Sequence, residues 1–270
     1  MSDTAKRVLS IPLGRLTEGN LVERPNRFLA VVSLPGRTVH AHVPDPGRLE
    51  ELLFPGNRVM VRNINSQQRK TQYDLVLAAF EDIWVCIDTR YPNRLFEQAA
   101  KEGVLDEFRD YTSVRREVTL EQAAKRLHDH ATGKAISENA GGADAPKSRT
   151  PKSRFDFLLK AHGKRPLLVE VKSVSLCVNG TGLFPDAPTL RGARHLSELK
   201  EVSSLGLDAC VVFIAQREDV ARVSAHREMD PRFAQALDEA TEAGVKALAY
   251  RCTVSPRYIG LEPEGIPYCK

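Results

Sequence analysis

Ser153-Arg154-Phe155-Asp156-Phe157-Leu158-Leu159, followed by Leu167-Leu168-Val169-Glu170-Val171-Lys172-Ser173, is the stretch on which the fold turns. Both halves are short apolar runs, and Gly163 and Pro166 lie between them, so the pattern predicts a β-hairpin with its turn at 162–165. Side chains alternate along a strand, which puts Glu170 and Lys172 on one face and Val169 and Val171 on the other. Pairing around this turn brings Asp156 roughly opposite Glu170. Two carboxylates that close repel unless a positive charge lies between them, and a hard divalent cation suits an all-oxygen site. Lys172 then stands within reach of a metal-bound water or a phosphate. The same spacing also arises on a half-exposed strand whose Glu and Lys are merely solvated or paired. Against that reading stands the uniformly apolar run 167–171, typical of a strand covered on both faces, where a charge is costly without a partner or a task.

The 270 residues suffice for one large or two modest domains, and 42% hydrophobic with 27% charged residues is ordinary for a folded chain with a real core. A formal charge of +4 permits an acidic partner such as nucleic acid without demanding one. The five cysteines, Cys86, Cys177, Cys210, Cys252 and Cys269, are scattered and form no C-x-x-C pair, so neither a disulfide framework nor a zinc knuckle is expected. No run is long and apolar enough to span a bilayer, and Met1 to Ser10 lacks a signal-peptide core, which points to the cytoplasm and away from membranes.

From Leu9 to Asp88, short strand-like runs separated by Gly, Pro and Asn predict a small antiparallel barrel: 27–33, 37–43, 58–63, 73–80 and 83–88, with a short helix over 48–53. Arg27, Arg48, Arg62, Arg69 and Lys70 are its candidate nucleic-acid contacts, and Phe28, Tyr73 and Trp84 are either base stackers or core. A helix over 93–102, entered through Pro92 and stopped by Gly103, begins the second domain. Its Glu97 either lines the site or is solvated. The alternating run 113–120 offers Glu117 as a third metal carboxylate. Residues 121–152, poor in large apolar side chains and rich in Gly, Ala, Lys and Ser, read as a flexible insertion. A helix over 189–205 carries Arg191 and His195 four residues apart, on one face near an amino terminus that favours anions, so both are candidate phosphate contacts. Ala209 to Ala215 is a buried strand, Asp230 caps a helix over 231–243, and 246–254 and 258–261 are strands. The tail beyond Glu262 is expected to fray.

Arg154-Phe155-Asp156-Phe157, Val169-Glu170-Val171-Lys172-Ser173 and Phe184-Pro185-Asp186-Ala187-Pro188-Thr189-Leu190-Arg191-Gly192-Ala193-Arg194-His195-Leu196 together resemble the sugar fermentation stimulation protein A (SfsA) family. Arg24-Pro25-Asn26-Arg27-Phe28 and His42-Val43-Pro44-Asp45-Pro46-Gly47-Arg48-Leu49 match the same family, so the resemblance spans nearly the whole chain. It implies DNA binding, a role in sugar metabolism, and a mixed α/β architecture. That architecture is an amino-terminal OB-like β-barrel, here 1–88, followed by a PD-(D/E)xK restriction-endonuclease-like domain, here 89–270. The resemblance also implies an acidic residue in the strand before the Asp strand, which favours Glu117, and it draws His195 toward the site. The 121–152 connection is longer than the family's and departs from its pattern.

These readings converge on a DNA-binding protein with a metal-dependent nuclease site. Asp156 and Glu170, helped by Glu117, would hold Mg²⁺ or Mn²⁺; Lys172 would act on the water and the phosphorane; Arg154 and His195 would steady the backbone. The alternative is a non-catalytic, non-specific DNA-binding regulator of sugar (maltose) metabolism genes, with the nuclease-like domain as scaffold. A metal-dependent enzyme acting on RNA or a small molecule is a third reading, because no residue in the sequence visibly reads a base or a sugar.

Overall fold

In the computed structural model, residues 8–66, 68–119, 122–123, 153–202 and 206–270 are described. The 121–152 insertion falls almost wholly outside them.

The hairpin forms as the sequence predicts. β9 (Arg154–Lys160) and β10 (Leu167–Val174) pair antiparallel, with Leu159 opposite Leu167 and Phe157 opposite Val169. β10 also pairs in parallel with β13 (Asp208–Ala215) and lies inside a seven-stranded sheet ordered β1-β16-β15-β13-β10-β9-β8. Its other members are β1 (Leu9–Pro12), β8 (Ser113–Thr119), β15 (Lys246–Val254) and β16 (Tyr258–Leu261). Central strands covered on both faces explain why β10 and β13 read as nearly continuous apolar runs.

Each face of the sheet has its own core. On one side α1 (Arg90–Glu102) packs Leu95, Phe96 and Ala99 against Phe157, Val169 and Val212. Gly103 ends α1 at φ 65°, a conformation glycine adopts without strain. α1 starts at Arg90, three residues before the predicted start, and Pro92 lies in its first turn, where its missing N–H costs nothing. On the other side α2 (Leu190–Val202) and α3 (Pro231–Glu242) pack Leu196, Leu199, Phe233 and Leu237 against Leu168, Val211 and Phe213.

The amino-terminal barrel consists of β2 (Leu16–Asn26), β3 (Leu29–Leu34), β4 (Arg37–His42), β5 (Arg58–Asn63) and β6 (Tyr73–Phe80). They are ordered β4-β3-β2-β5-β6, and a parallel β4–β6 pairing closes the ring. β7 (Ile83–Cys86) extends it from β6. β2 serves two neighbours: its first half pairs with β5, its second with β3, through register shifts at Leu21 and Glu23 that bend it. Its polar composition hid it in the sequence. At Gly19 a Cβ would lie 2.5 Å from the Ser33 carbonyl oxygen, so the bend requires glycine.

Four expectations are corrected. β1 falls within the predicted barrel segment but joins the seven-stranded sheet through β16. The predicted helix at 48–53 is one turn, its Leu52 and Leu53 amides both donating to the Leu49 carbonyl. Between Ser173 and Pro188 lies a hairpin, β11 (Leu176–Val178) and β12 (Thr181–Phe184), belonging to a four-stranded sheet with β14 (Arg222–Ala225) and β17 (Tyr268–Cys269). The carboxyl-terminal tail is held by this sheet rather than frayed, because β17 pairs with β14 and Ile266 bridges Ala249.

Barrel and sheet share one apolar interface. Met60, Val76, Leu77 and Cys86 of the barrel join the α1-side core, and Arg217, with no exposed surface, crosses between the two units. Its guanidinium donates to the Ser175 carbonyl and to Asp219, and stacks 4.4 Å from the ring centroid of Phe80 in the barrel.

Candidate active site

The β9–β10 register, carried one step beyond Phe157–Val169, sets Asp156 beside Glu170. There the backbone ladder stops and the Asp156 side chain takes over: Oδ2 accepts from the Val171 amide at 2.8 Å. Its Oδ1 accepts from Asn93 Nδ2 of α1 at 3.0 Å. Glu170 Oε1 accepts from Lys172 Nζ at 2.7 Å and from His195 Nδ1 at 2.6 Å. His195 is buried, and its Nε2 faces Arg191 Nε at 3.4 Å. This arrangement fits a neutral imidazole that donates from Nδ1 to Glu170 and accepts at Nε2 from Arg191. The helical spacing of Arg191 and His195 thus places one inside and one at the surface of the same turn.

The two carboxylates are tuned apart. Burial, then the neighbouring Glu170 charge, pushes the Asp156 carboxyl up to about 6. Burial acts the same way on Glu170, but Lys172 and His195 together outweigh it and hold that carboxyl below its usual range. Carboxyl pairs driven in opposite directions by their surroundings are the arrangement that separates an acid from a base in catalytic sites. Glu170 Oε2 is buried and has no hydrogen-bond partner, a costly state for a carboxylate oxygen. An oxygen-seeking cation between Glu170 and Asp156 would satisfy that orphan and relieve the repulsion, so the donor set fits Mg²⁺ or Mn²⁺.

Asp156, Glu170, Lys172, His195 and Arg191 converge. Glu117 does not join them. The β8–β9 register, with Arg116 opposite Phe157 and Val118 opposite Phe155, puts Glu117 in line with Asp156 and Glu170. Its backbone, however, turns to φ 49°, and its exposed carboxylate meets Arg154 Nη1 at 3.3 Å instead. Arg154 is likewise exposed and engaged with Glu117. Among the described residues, no three His, Cys, Asp or Glu side chains cluster as a ready metal cage. Glu97 takes neither option: it is half-buried and paired with Lys101 and Arg116, away from the two carboxylates.

On the barrel, Arg62 and Arg69 are not free phosphate contacts. Arg62 pairs with Asp74 and Asp88 and donates to the Tyr91 hydroxyl, and Arg69 pairs with Asp74 at 2.6 Å. Asp74 and Asp88 are buried carboxylates that require these cations. Arg27, Arg48 and Lys70 are exposed. Of the three candidate stackers, Tyr73 is buried, Trp84 is half-buried beneath Arg58, and Phe28 is 51% exposed. Asn93 escaped the sequence reading. It lies one helical turn before Glu97, on the same face of α1, and that periodicity was the available signal.

Comparison with known proteins bears on the chain's family and overall fold. Residues 22–87 match the family model for an SfsA N-terminal OB domain, and residues 122–258 match that for the sugar fermentation stimulation protein RE domain. A sugar fermentation stimulation protein homolog of Acetivibrio thermocellus is 42% identical over 242 residues, covering 89% of this chain and 91% of that protein. The Moorella thermoacetica homolog is 40% identical, covering 91% of this chain and 94% of its own. A solved structure described as Pyrococcus furiosus SfsA in complex with Ca²⁺ superposes with a TM-score of 0.77 at 25% identity. It covers 96% of this chain and 98% of its own.

Proposed function

The chain belongs to the sugar fermentation stimulation protein family, and from that premise we propose that it is a cytoplasmic DNA-binding protein that hydrolyses phosphodiester bonds with Mg²⁺ or Mn²⁺. The observation that carries this reading is the buried Asp156–Glu170 pair with Lys172, its carboxylates pushed apart in pKa and its Glu170 Oε2 left without a partner. The archaeal relative whose structure is described as a complex with Ca²⁺ supports a hard-cation site in this fold. Five free cysteines, four of them buried, suit a reducing compartment.

Asp156 and Glu170 would hold the cation. When bound, it would acidify a water and offset charge developing on the phosphate. Lys172, a compact charge beside Glu170, orients the attacking water and stabilises the phosphorane. His195 is a positioning residue: from α2 it fixes the Glu170 carboxylate in one rotamer, and Arg191 beyond it meets the nucleic-acid backbone. Asn93 and the Val171 amide do the same for Asp156. Since the Asp156 carboxyl holds a proton below about pH 6, cation binding should weaken as pH falls through that value; calorimetric titration with Mn²⁺ measures it.

The test is incubation of the purified protein and its Lys172→Ala variant with labelled single- and double-stranded DNA and RNA, in Mg²⁺, Mn²⁺ or EDTA. Metal-dependent cleavage lost in the variant is the expected result. Binding without cleavage under every condition would replace the nuclease by a DNA-binding regulator.

A further inference from the structure

Between the barrel and the nuclease-like sheet lies a cleft of about 240 Å³. Its walls come from both units. The barrel supplies Arg27, Asp45 and Gly47; the sheet side supplies Ser173, which directly follows Lys172, and the Phe184–Thr189 loop leading into α2. Asp45 is buried, and Asp186 reaches across the cleft to accept from the Leu49 amide at 3.3 Å, so the floor carries carboxyl groups from both units. At Gly47 a Cβ would fall 2.2 Å from an Asp186 carboxylate oxygen, so a larger residue there would displace the Asp186 side chain from its place against the barrel.

The rim is of opposite character. On the barrel side Arg27, which lines the cleft, and Arg48, which lines the hollow adjoining it, are exposed, and Phe28, next after Arg27 at the tip of the β2–β3 hairpin, shows 51% of its surface. On the other side the chain leaves the cleft wall at Thr189 and enters α2 with Leu190, 74% exposed, and with Arg191 and Arg194 at the surface. A basic rim attracts phosphates while a carboxyl-lined floor repels them, so the floor selects the uncharged part of a nucleotide. The width of a double helix cannot enter such a space.

Resting on the nucleic-acid reading above, we propose that this cleft seats one unstacked base of a single-stranded nucleic acid, with Phe28 as the stacking platform at its mouth. The backbone then runs along Arg27, Arg48 and Arg191 toward the Asp156–Glu170–Lys172 centre, whose Lys172 directly precedes Ser173 of the cleft wall. The substrate is accordingly a single strand or a frayed end rather than an intact duplex. An aromatic ring at a hairpin tip flanked by arginines is the arrangement by which single strands are held without reading sequence.

The experiment is fluorescence anisotropy with labelled single-stranded and duplex oligonucleotides at low salt in EDTA, where no turnover intervenes. Phe28→Ala should weaken single-strand binding by about 5- to 150-fold, the loss of one base–aromatic stack. Phe28→Tyr should retain it, and duplex binding should change little. Ala187→Trp, which fills the cleft from the loop, should also weaken single-strand binding. Unchanged single-strand affinity in both Phe28→Ala and Ala187→Trp would overturn the seat while leaving the nuclease reading standing. A parent protein that binds neither strand form would overturn both. Tighter binding of duplex than of single strand would overturn the substrate assignment alone.

Discussion

At the scale of single residues, burial decides which charges act and which only hold the fold. Asp156 and Glu170 occupy neighbouring positions, yet one carboxyl is raised and the other lowered, because Lys172 and His195 both reach Glu170 while Asp156 receives an amide and an asparagine. A second buried acid gives a stability test. Burial, then Asp186, pushes the Asp45 carboxyl up to about 7 from an ordinary 3.8. The folded state therefore keeps a proton that the unfolded chain releases, and stability falls as pH rises through that interval and levels off above it. Asp45→Asn keeps an oxygen for the Gly47 amide, so its melting temperature should exceed the parent's at about pH 8 and converge with it at about pH 4. Parallel melting profiles across that range would show Asp45 ionised throughout. The juxtaposition of Asp156, Glu170 and Lys172 was legible from alternation and a turn, while reading it as a site drew also on the apolar run around Glu170 and on the family resemblance. Glu117 was legible only as a register position, since a left-handed backbone angle at one residue leaves no mark in a polar run. Arg62 and Arg69 misled because their partners, Asp74 and Asp88, become buried only when the ring closes.

Among the elements, α2 is the one on which the site depends most, for it carries His195 inward and Arg191 outward. One side chain anchors its start and that of α3 together. Asp230 Oδ1 accepts from the Phe233 amide at 3.0 Å, capping α3, and Oδ2 accepts from the Thr189 amide at 2.7 Å, just before α2. Asp230→Ala should cost about 1–2 kcal/mol in urea denaturation, as lost caps do. It should also slow cleavage, because the start of α2 is released with it. Asp230→Asn, which retains an acceptor for Phe233, should recover most of the stability. The cap itself was readable from Asp230-Pro231, whereas its bond to Thr189, 41 residues away, was not. Strand pairing shows the same division. The β9–β10 register follows from a short turn, but β11, β12, β14 and β17 are two to four residues long and joined across distant segments, too short for periodicity to reveal.

Across the whole molecule, the barrel and the seven-stranded-sheet unit are bound by a shared apolar interface and by Arg217, which contacts Phe80 on one side and Ser175 and Asp219 on the other. Such a group is held by its partners on both units, so Arg217→Met should cost about 3 kcal/mol. It should also split or broaden a single calorimetric unfolding transition, with the barrel melting first. An unchanged single transition would show that the apolar interface alone couples the units. The same closure explains why β1 escaped the barrel assignment: its partner β16 lies at the far end of the chain, and Leu9 and Ile11 are buried against that edge. It also forms the cleft through which a strand would reach Asp156, Glu170 and Lys172. The most direct measurement of this account is nucleic-acid cleavage by the parent and by Asp156→Asn at about pH 7.5 in Mg²⁺, beside binding of the same oligonucleotide in EDTA. The account predicts cleavage by the parent, cleavage reduced to background in the variant, and equal binding by both. Equal cleavage by the two proteins, or none by either in Mg²⁺ and Mn²⁺ alike, would contradict it.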